Sequence, residues 1–499
     1  MAWCAPSSET EDAMSEALDH RQECPPDAGG DGVDYAATLL ELAFSQHKLG
    51  RFPEAVRIYG RLLAFDPTHF DGLHLRGVAL RQDADPIGAL RWISRALRTA
   101  PGLPSVVHNL QLAAQSVLWF CDLFYREGRY AEFARLIDDA LEFRACFDDG
   151  SIDLIGRMLH NAAMAALYER GDVALADACS ERAVRLAWDP SILNFRMLVQ
   201  LNQQNYSEAW NQNAWEAITG NLPGLWNGKP HDGTLVIVNK NGTGDFLQFM
   251  RFIPFARQRV KDIAIVLKGG IGTLVKDNPL LDGARIVSER PTGPNIVACE
   301  TFSIPFALGL SEREIAITSP YLTIPADLHA DWRRAVRRDD RLYVGIVWSS
   351  WAQPDPRSIE FAFYRRLFER FDAVFVGVHA YFSSDDLRQS DFPENFRFFG
   401  VSDLHDTACL LSAMDVVIAP DGGIAHLACA LGIETWVLVT KNCDWRWRQE
   451  GEKSIWYDNA RILRQPTQGD WEAVWNMVND RLAARAAPRC EHRDPTVEI

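Results

Sequence analysis

The chain of 499 residues has no CxxC pair and no Cys/His group at zinc-ligand spacing. Nothing there marks a zinc site, and in a chain this long its ten scattered cysteines read as reduced thiols. No basic run exceeds an Arg-Arg pair such as Arg333-Arg334 or Arg337-Arg338, and the net charge is −16 with a pI of about 5.3. Nucleic acid and acidic membrane surfaces are poor partners for such a chain. The N-terminus shows no basic stretch followed by an apolar run, so no signal peptide is expected. No window approaches about 18 uncharged apolar residues, so no membrane span is expected. The expected compartment is the cytoplasm. The glycine-rich turns lack both the GK[ST] ending of a P-loop and the third glycine of a dinucleotide fingerprint.

What is present is ordinary globular material, 47% hydrophobic and 24% charged, enough for about two to four domains. Residues 1–34 carry nine carboxylates against one arginine, without a sustained apolar period. They read as a disordered acidic tail, and residues 490–499 as a second tail. Between "KLGRFPEAVRIYGRLLAFDP" and "RQDADPIGALRWISRALRTAP", Ala55 pairs with Ala89 and Pro67 with Pro101, each 34 residues apart. That is the tetratricopeptide period, with alanine where two helices touch and proline closing the unit. Looser copies follow at 126–141, 169–190 and 203–218. One helix pair cannot bury its own apolar face, so residues 35–220 are expected to stack as an α-solenoid.

After a turn-rich stretch at 221–233 the pattern changes. Short β-branched runs at 234–240, 262–268, 284–288 and 295–299, then at 342–350, 373–380, 396–400, 415–420 and 435–440, alternate with helical stretches. Continuous apolar strands between helices predict parallel sheets covered on both faces. Two α/β domains are expected, 221–330 and 331–489. Helices are predicted at 245–259, 359–371, 404–414 and 424–431.

Ligands bind beyond the carboxyl ends of parallel strands, and two glycine-rich loops fall there. In the first, Gly242 and Gly244 precede Asp245. In the second, Asp421, Gly422 and Gly423 precede His426. Glycine pairs permit positive φ and close backbone approach, and the following helix start suits a phosphate. His426 then reads either as a donor to phosphate or as a core histidine bonded to a carbonyl. Asp421 reads as a helix cap or an acceptor from a sugar hydroxyl, and Asp245 as a cap or a general base. Lys441, Arg446 and Arg448 are reserve cations or a solvated basic stretch. Trp348 and Trp351 are pocket walls or packed core.

In order along the chain, "GTGDFLQFMRFIP", "YVGIVWSS", "RSIEF", "MDVVIAPDGGIAHLACALG", "DWRW" and "RILRQPTQGDW" resemble one group of proteins. These are bacterial tetratricopeptide proteins fused to a glycosyltransferase domain of the heptosyltransferase family (family 9, GT-B fold), with a more distant similarity to O-GlcNAc transferases. The similarity spans roughly Tyr206 to Arg481. It implies two Rossmann-like domains facing a cleft and inverting transfer, without a metal, from a nucleotide-sugar donor; no resident cofactor is expected. On this resemblance Asp421, Gly422, Gly423 and His426 fall on the donor loop and Gly242 and Gly244 on the cleft loop. Asp245 inherits the role of base, and Arg357 and Ser358 lie near the diphosphate. The sequence departs from the family where "NKN" precedes GTGD and where no lysine precedes RSI. The repeats would present a protein acceptor. The rival expectations are a catalytically silent scaffold and a saccharide- or lipid-modifying transferase.

Overall fold

In the computed structural model the described residues are 30–211, 224–240, 242–267, 270–276, 278–315, 319–348, 357–378, 392–448 and 450–486. Contacts divide the chain into two compact units. One comprises residues up to 166 with 174–192, and the other 167–173 with 193 onward.

The first unit is helical: Gly30–Lys48, Phe52–Phe65, Phe70–Gln82, Pro86–Thr99, Pro104–Arg126, Tyr130–Leu141, Asp149–Tyr168 and Val173–Leu186 follow one another with short turns. The first of these begins inside the stretch expected to be a tail, whose residues 1–29 lie outside the described residues. The two period-marking alanines, Ala55 and Ala89, are fully buried. A Cβ on Gly77 would meet Ile93 Cγ1 at 2.5 Å and Ala89 O at 3.2 Å, so Gly77 is what lets the third and fourth helices approach. Proline opens the fourth and fifth helices, where its missing N–H costs nothing. Left-handed glycines Gly50, Gly102 and Gly128 sit in the turns between helices.

The boundary expected at residue 220 falls earlier. Met197, Leu201, Tyr206, Ala209 and Trp210 are buried in the core of the α/β unit. Tyr206 and Trp210 both meet Trp456 edge-on, at 5.9 and 6.2 Å, and Trp210 also meets Phe252 and Phe306. Large aromatic surface, rather than repeat phase, decides which core this segment joins.

The second unit holds two wholly parallel sheets. Strands β1 (His231–Val238), β2 (Val260–Val266), β3 (Arg285–Val287) and β4 (Ile296–Glu300) lie in the order β3-β2-β1-β4. Strands β5 (Leu342–Ile346), β6 (Ala373–Gly377), β7 (Phe396–Phe398), β8 (Val416–Pro420), β9 (Thr435–Val439) and β10 (Ala460–Arg464) lie in the order β10-β9-β8-β5-β6-β7. The second order is the doubly wound one, with the chain reversing direction across the sheet between β5 and β8. In the first sheet the reversal falls between β1 and β4. Strands β6, β8 and β9 are buried along their whole length, which is why they read as unbroken apolar runs.

The helix expected over 245–259 is three pieces: Thr243–Phe249, a 3₁₀ turn Met250–Phe252, and Ile253–Arg257. Pro254 has no N–H to continue the α ladder, and the chain tightens just before it. Among the described residues no helix is long and apolar enough to cross a membrane.

Candidate functional site

Where each sheet's winding reverses, an ion pair lies at the carboxyl ends of the two strands concerned. After β1 and β4, Lys240 Nζ lies 2.8 Å from Glu300 Oε1. After β5 and β8, Arg357 Nη1 lies 3.7 Å from Asp421 Oδ2. The two glycine loops then meet. A Cβ placed on Gly244 would sit 2.9 Å from His426 Cδ2 and 3.2 Å from Gly423 Cα. The Thr243–Phe249 and Gly423–Ala430 helices therefore start against each other.

The glycines do not take up the positive φ expected of them. Gly242 has φ −64° and Gly422 φ 171°, ordinary extended values, and Gly244 and Gly423 are not among the left-handed glycines either. Only Gly244 is required by space. A Cβ on Gly422 or Gly423 would meet nothing closer than 3.6 Å.

Asp245 is a first-turn acid of its helix. It stands at the third position of its helix, and its Oδ2 accepts from the Gly242 N–H at 3.0 Å. Its Oδ1 accepts from Arg446 Nη2 at 2.6 Å. Gln248, one turn along the same helix face, accepts from Arg446 Nε at 2.7 Å, and Asp444 takes Arg446 Nη1 at 2.8 Å. All three nitrogens of the fork are thus engaged, and the guanidinium also lies 4.5 Å over the Trp445 ring. Burial would lower the Arg446 pKa, but Asp444 and Asp245 outweigh it and hold it raised. Of the three reserve cations, Arg446 is the one paired with Asp245. Arg448 instead donates to Gln204, and Lys441 is exposed.

Asp421 is not a helix cap: the N-cap is Gly422, and no side chain caps that helix. Its side chain is only 13% exposed, and its charge partner is Arg357. Burial, then the neighbouring Asp444, push its carboxyl up; Arg357 and Arg446 pull the other way. The buried Trp447 indole N–H faces it from outside hydrogen-bond geometry. Ser358 is half-buried beside Arg357 in sequence.

His426 is 4% exposed, and its surroundings are those of the core-histidine reading. Its Nδ1 shares a 2.9 Å hydrogen bond with the Tyr457 hydroxyl, and its ring stacks on Trp447 at 5.0 Å. Burial, then Arg446 and Arg251, hold its pKa well below the usual value, so the ring is neutral. It is a core histidine, bonded to a phenol rather than to the expected carbonyl. Behind it, fully buried Arg251 donates to the carbonyls of Gln248 and Trp456 and to the Tyr321 hydroxyl. Arg251 also lies 4.6 and 4.9 Å over the Tyr321 and Tyr457 rings. Among the described residues its partners are carbonyls, a hydroxyl and π-faces, which keep this charge tolerable.

Trp348 is core, 4.7 Å from Phe361, whereas Trp351 lies outside the described residues. Sequence reasoning missed Gln248, Arg251 and Tyr457. The i, i+3 spacing of Asp245 and Gln248 was a usable signal for a shared partner; nothing local marked Tyr457. Among the described residues Asp403, His405 and Asp406 come close enough together for a cation. Two of the three are already occupied: Asp403 caps its own helix, and Asp406 accepts from Ser402.

No family model matches the sequence, and no curated protein matches it. Among solved structures the chain is similar to a family 9 glycosyl transferase from Veillonella parvula. The identity is 11%, covering 52% of this chain and 98% of that one, with a TM-score of 0.39. It is also similar to the E. coli heptosyltransferase WaaC with ADP, at 11% identity over 50% and 99% of the two chains and a TM-score of 0.33. A third likeness is to PilF of Pseudomonas aeruginosa, at 14% identity over 46% and 88%, TM-score 0.18.

Proposed function

We propose that the α/β unit is a glycosyltransferase that moves a sugar from a nucleoside-diphosphate donor to an acceptor hydroxyl, in an inverting, metal-independent reaction in the cytoplasm. The observation that carries the reading is the meeting of the two loops beyond the sheets. A carboxylate at the carboxyl edge of one sheet, Asp245, shares a cluster with Asp421 and two guanidiniums at the carboxyl edge of the other. This takes up the motif resemblance residue by residue, with Arg446 added and His426 moved from ligand to support.

The chemistry suits these groups. As the acceptor oxygen bonds to the anomeric carbon, its proton passes to Asp245, an effect worth roughly 10²–10⁴ in rate. The bond from that carbon to the diphosphate breaks, and the leaving group gains a negative charge. Arg446 and Arg357 are the cations at hand to meet it. Asp421, with its carboxyl pushed up, can face a phosphate or sugar hydroxyl with less repulsion than a full charge would impose. The sterically open backbone at Gly422 and Gly423 leaves the donor room to approach. In this reading Arg446 leaves Asp245 for the diphosphate as the donor binds, which frees the base. The repeats would present a protein acceptor.

One observation favours a second reading, a silent scaffold: Asp245 is already doubly satisfied by Gly242 and Arg446. Thermal-shift screening of the full chain against nucleoside diphosphates and nucleotide sugars separates the two when combined with Asp245→Asn. A donor at about 100 times its Kd adds about 2.7 kcal/mol. The enzyme reading expects a shift retained in Asp245→Asn together with turnover lost by at least about 100-fold. A flat panel would overturn it, and donor binding with no turnover in the native chain would favour the scaffold.

A further inference from the structure

The second to fourth helices of the repeat unit, Phe52–Thr99, carry seven arginines against five carboxylates in a chain whose net charge is −16. Several of those carboxylates have local duties. Glu54 holds Arg57, Asp66 closes a turn on Thr68, and Asp85 caps the fourth helix. Arg76 and Arg95 are left sharing one ring: their guanidinium carbons lie 4.2 and 4.7 Å over the Trp92 indole. Arg76 also rests on Gly60 of the second helix, where a Cβ would be 3.2 Å from its Nη1, and its buried Nε has no hydrogen-bond partner. Burial and then the charge of Arg95 lower the Arg76 pKa, as expected of two like charges around one indole.

The next residue along the second helix is Arg61. Its Nη2 donates to the Tyr35 hydroxyl at 3.3 Å, and Tyr35 meets exposed Phe65 edge-on at 5.5 Å. Tyr35 belongs to the first helix, Gly30–Lys48. The chain therefore enters the unit beside Arg61, the sequence neighbour of the Gly60 on which Arg76 rests. Residues 1–29, outside the described residues, hold seven carboxylates and one arginine. At up to about 3.5 Å per residue they can reach well beyond the length of one 14-residue helix, about 21 Å.

We propose that the acidic segment 1–29 of the same chain docks its carboxylates on Arg76 and Arg95 around Trp92. The inference is independent of the glycosyltransferase reading. A partner of the repeats bearing carboxylates must then displace the chain's own segment.

Arginine-specific labelling with phenylglyoxal, read by mass spectrometry on the full chain, tests it. Arg76 and Arg95 are compared with exposed Arg313 in the native chain and in a variant with the seven carboxylates of residues 1–29 changed to their amides. The expected result is labelling of Arg76 and Arg95 at least about threefold slower in the native chain, the range of a few weak exposed ion pairs. The difference should vanish in the amide variant and at about 1 M salt, where the screening length is about 3 Å. Equal rates in the two chains overturn the proposal, as does protection that survives in the amide variant. Protection that appears only as protein concentration rises overturns the same-chain assignment in favour of a second copy. Matching circular dichroism spectra for the two chains exclude a folding difference.

Discussion

Arg446 Nη2 and Asp245 Oδ1 lie 2.6 Å apart although 201 residues of chain separate them. Asp245 opens the first helix after β1, and Arg446 sits in the 3₁₀ turn Trp445–Trp447 after β9. Their pairing joins the carboxyl edges of two sheets that share no strand. Only 12% of the Arg446 side chain and 28% of that of Asp245 remain exposed, so water screens this pair less than the exposed ion pairs along the repeats.

Replacing Arg446 by lysine keeps the charge but removes the fork. One ammonium cannot serve Asp245, Gln248 and Asp444 together. The partly exposed carboxylates discount the loss, so urea unfolding should show destabilisation of about 1–3 kcal/mol. In a double-mutant cycle with Asp245→Asn the two effects should fall short of additivity by about 0.5 kcal/mol or more. Strict additivity would mean that the pair contributes nothing.

The adjoining glycines give a sharper contrast. Gly244→Ala puts a methyl 2.9 Å from His426 Cδ2, and that ring is pinned by Tyr457 and Trp447. A cost of about 1–3 kcal/mol is expected, with the two loops forced apart. Gly423→Ala meets only ordinary contacts and should change stability by less than about 0.5 kcal/mol. Scanning calorimetry of both variants decides it: equal losses would show that the loops are not in contact.

Stability should also fall on acidification through the histidines. His426, His47 and His74 have pKa values lowered first by burial, His74 to about 4. Each stays neutral in the fold while the unfolded chain takes up a proton near pH 6.5, so the stabilisation is present above that pH and lost below it. The slope is at most about 1.4 kcal/mol per pH unit for each histidine. Asp421, with its pKa raised, acts in the opposite sense, gaining stability as pH falls toward the ordinary carboxylate range. Unfolding free energies between pH 7 and 5 should therefore decline, and His426→Gln should reduce the slope by nearly one proton. An unchanged slope in that variant would show that His426 titrates normally in the fold.

Much of the architecture was legible in local pattern. Runs such as 373–377 and 416–420 are apolar throughout because both faces of those strands are covered, and that leaves no doubt about a parallel sheet. The 34-residue spacing of Ala55 and Ala89 marks where helices touch, and both side chains are fully buried. Helix ends were less legible. Pro254 broke one predicted helix into three pieces, and Tyr206 and Trp210 moved the end of the repeat unit earlier.

By itself the sequence determined the alternation of strand and helix, the two glycine turns and the carboxylates beside them, because periodicity and turn chemistry act over a few residues. Tertiary structure alone decided which charges meet. It placed Arg446 on Asp245 and Arg357 beside Asp421, and it buried His426 under Trp447 with a phenol for a partner. Those outcomes depend on strand order and on how far water is excluded, and neither is written in the neighbourhood of any one residue.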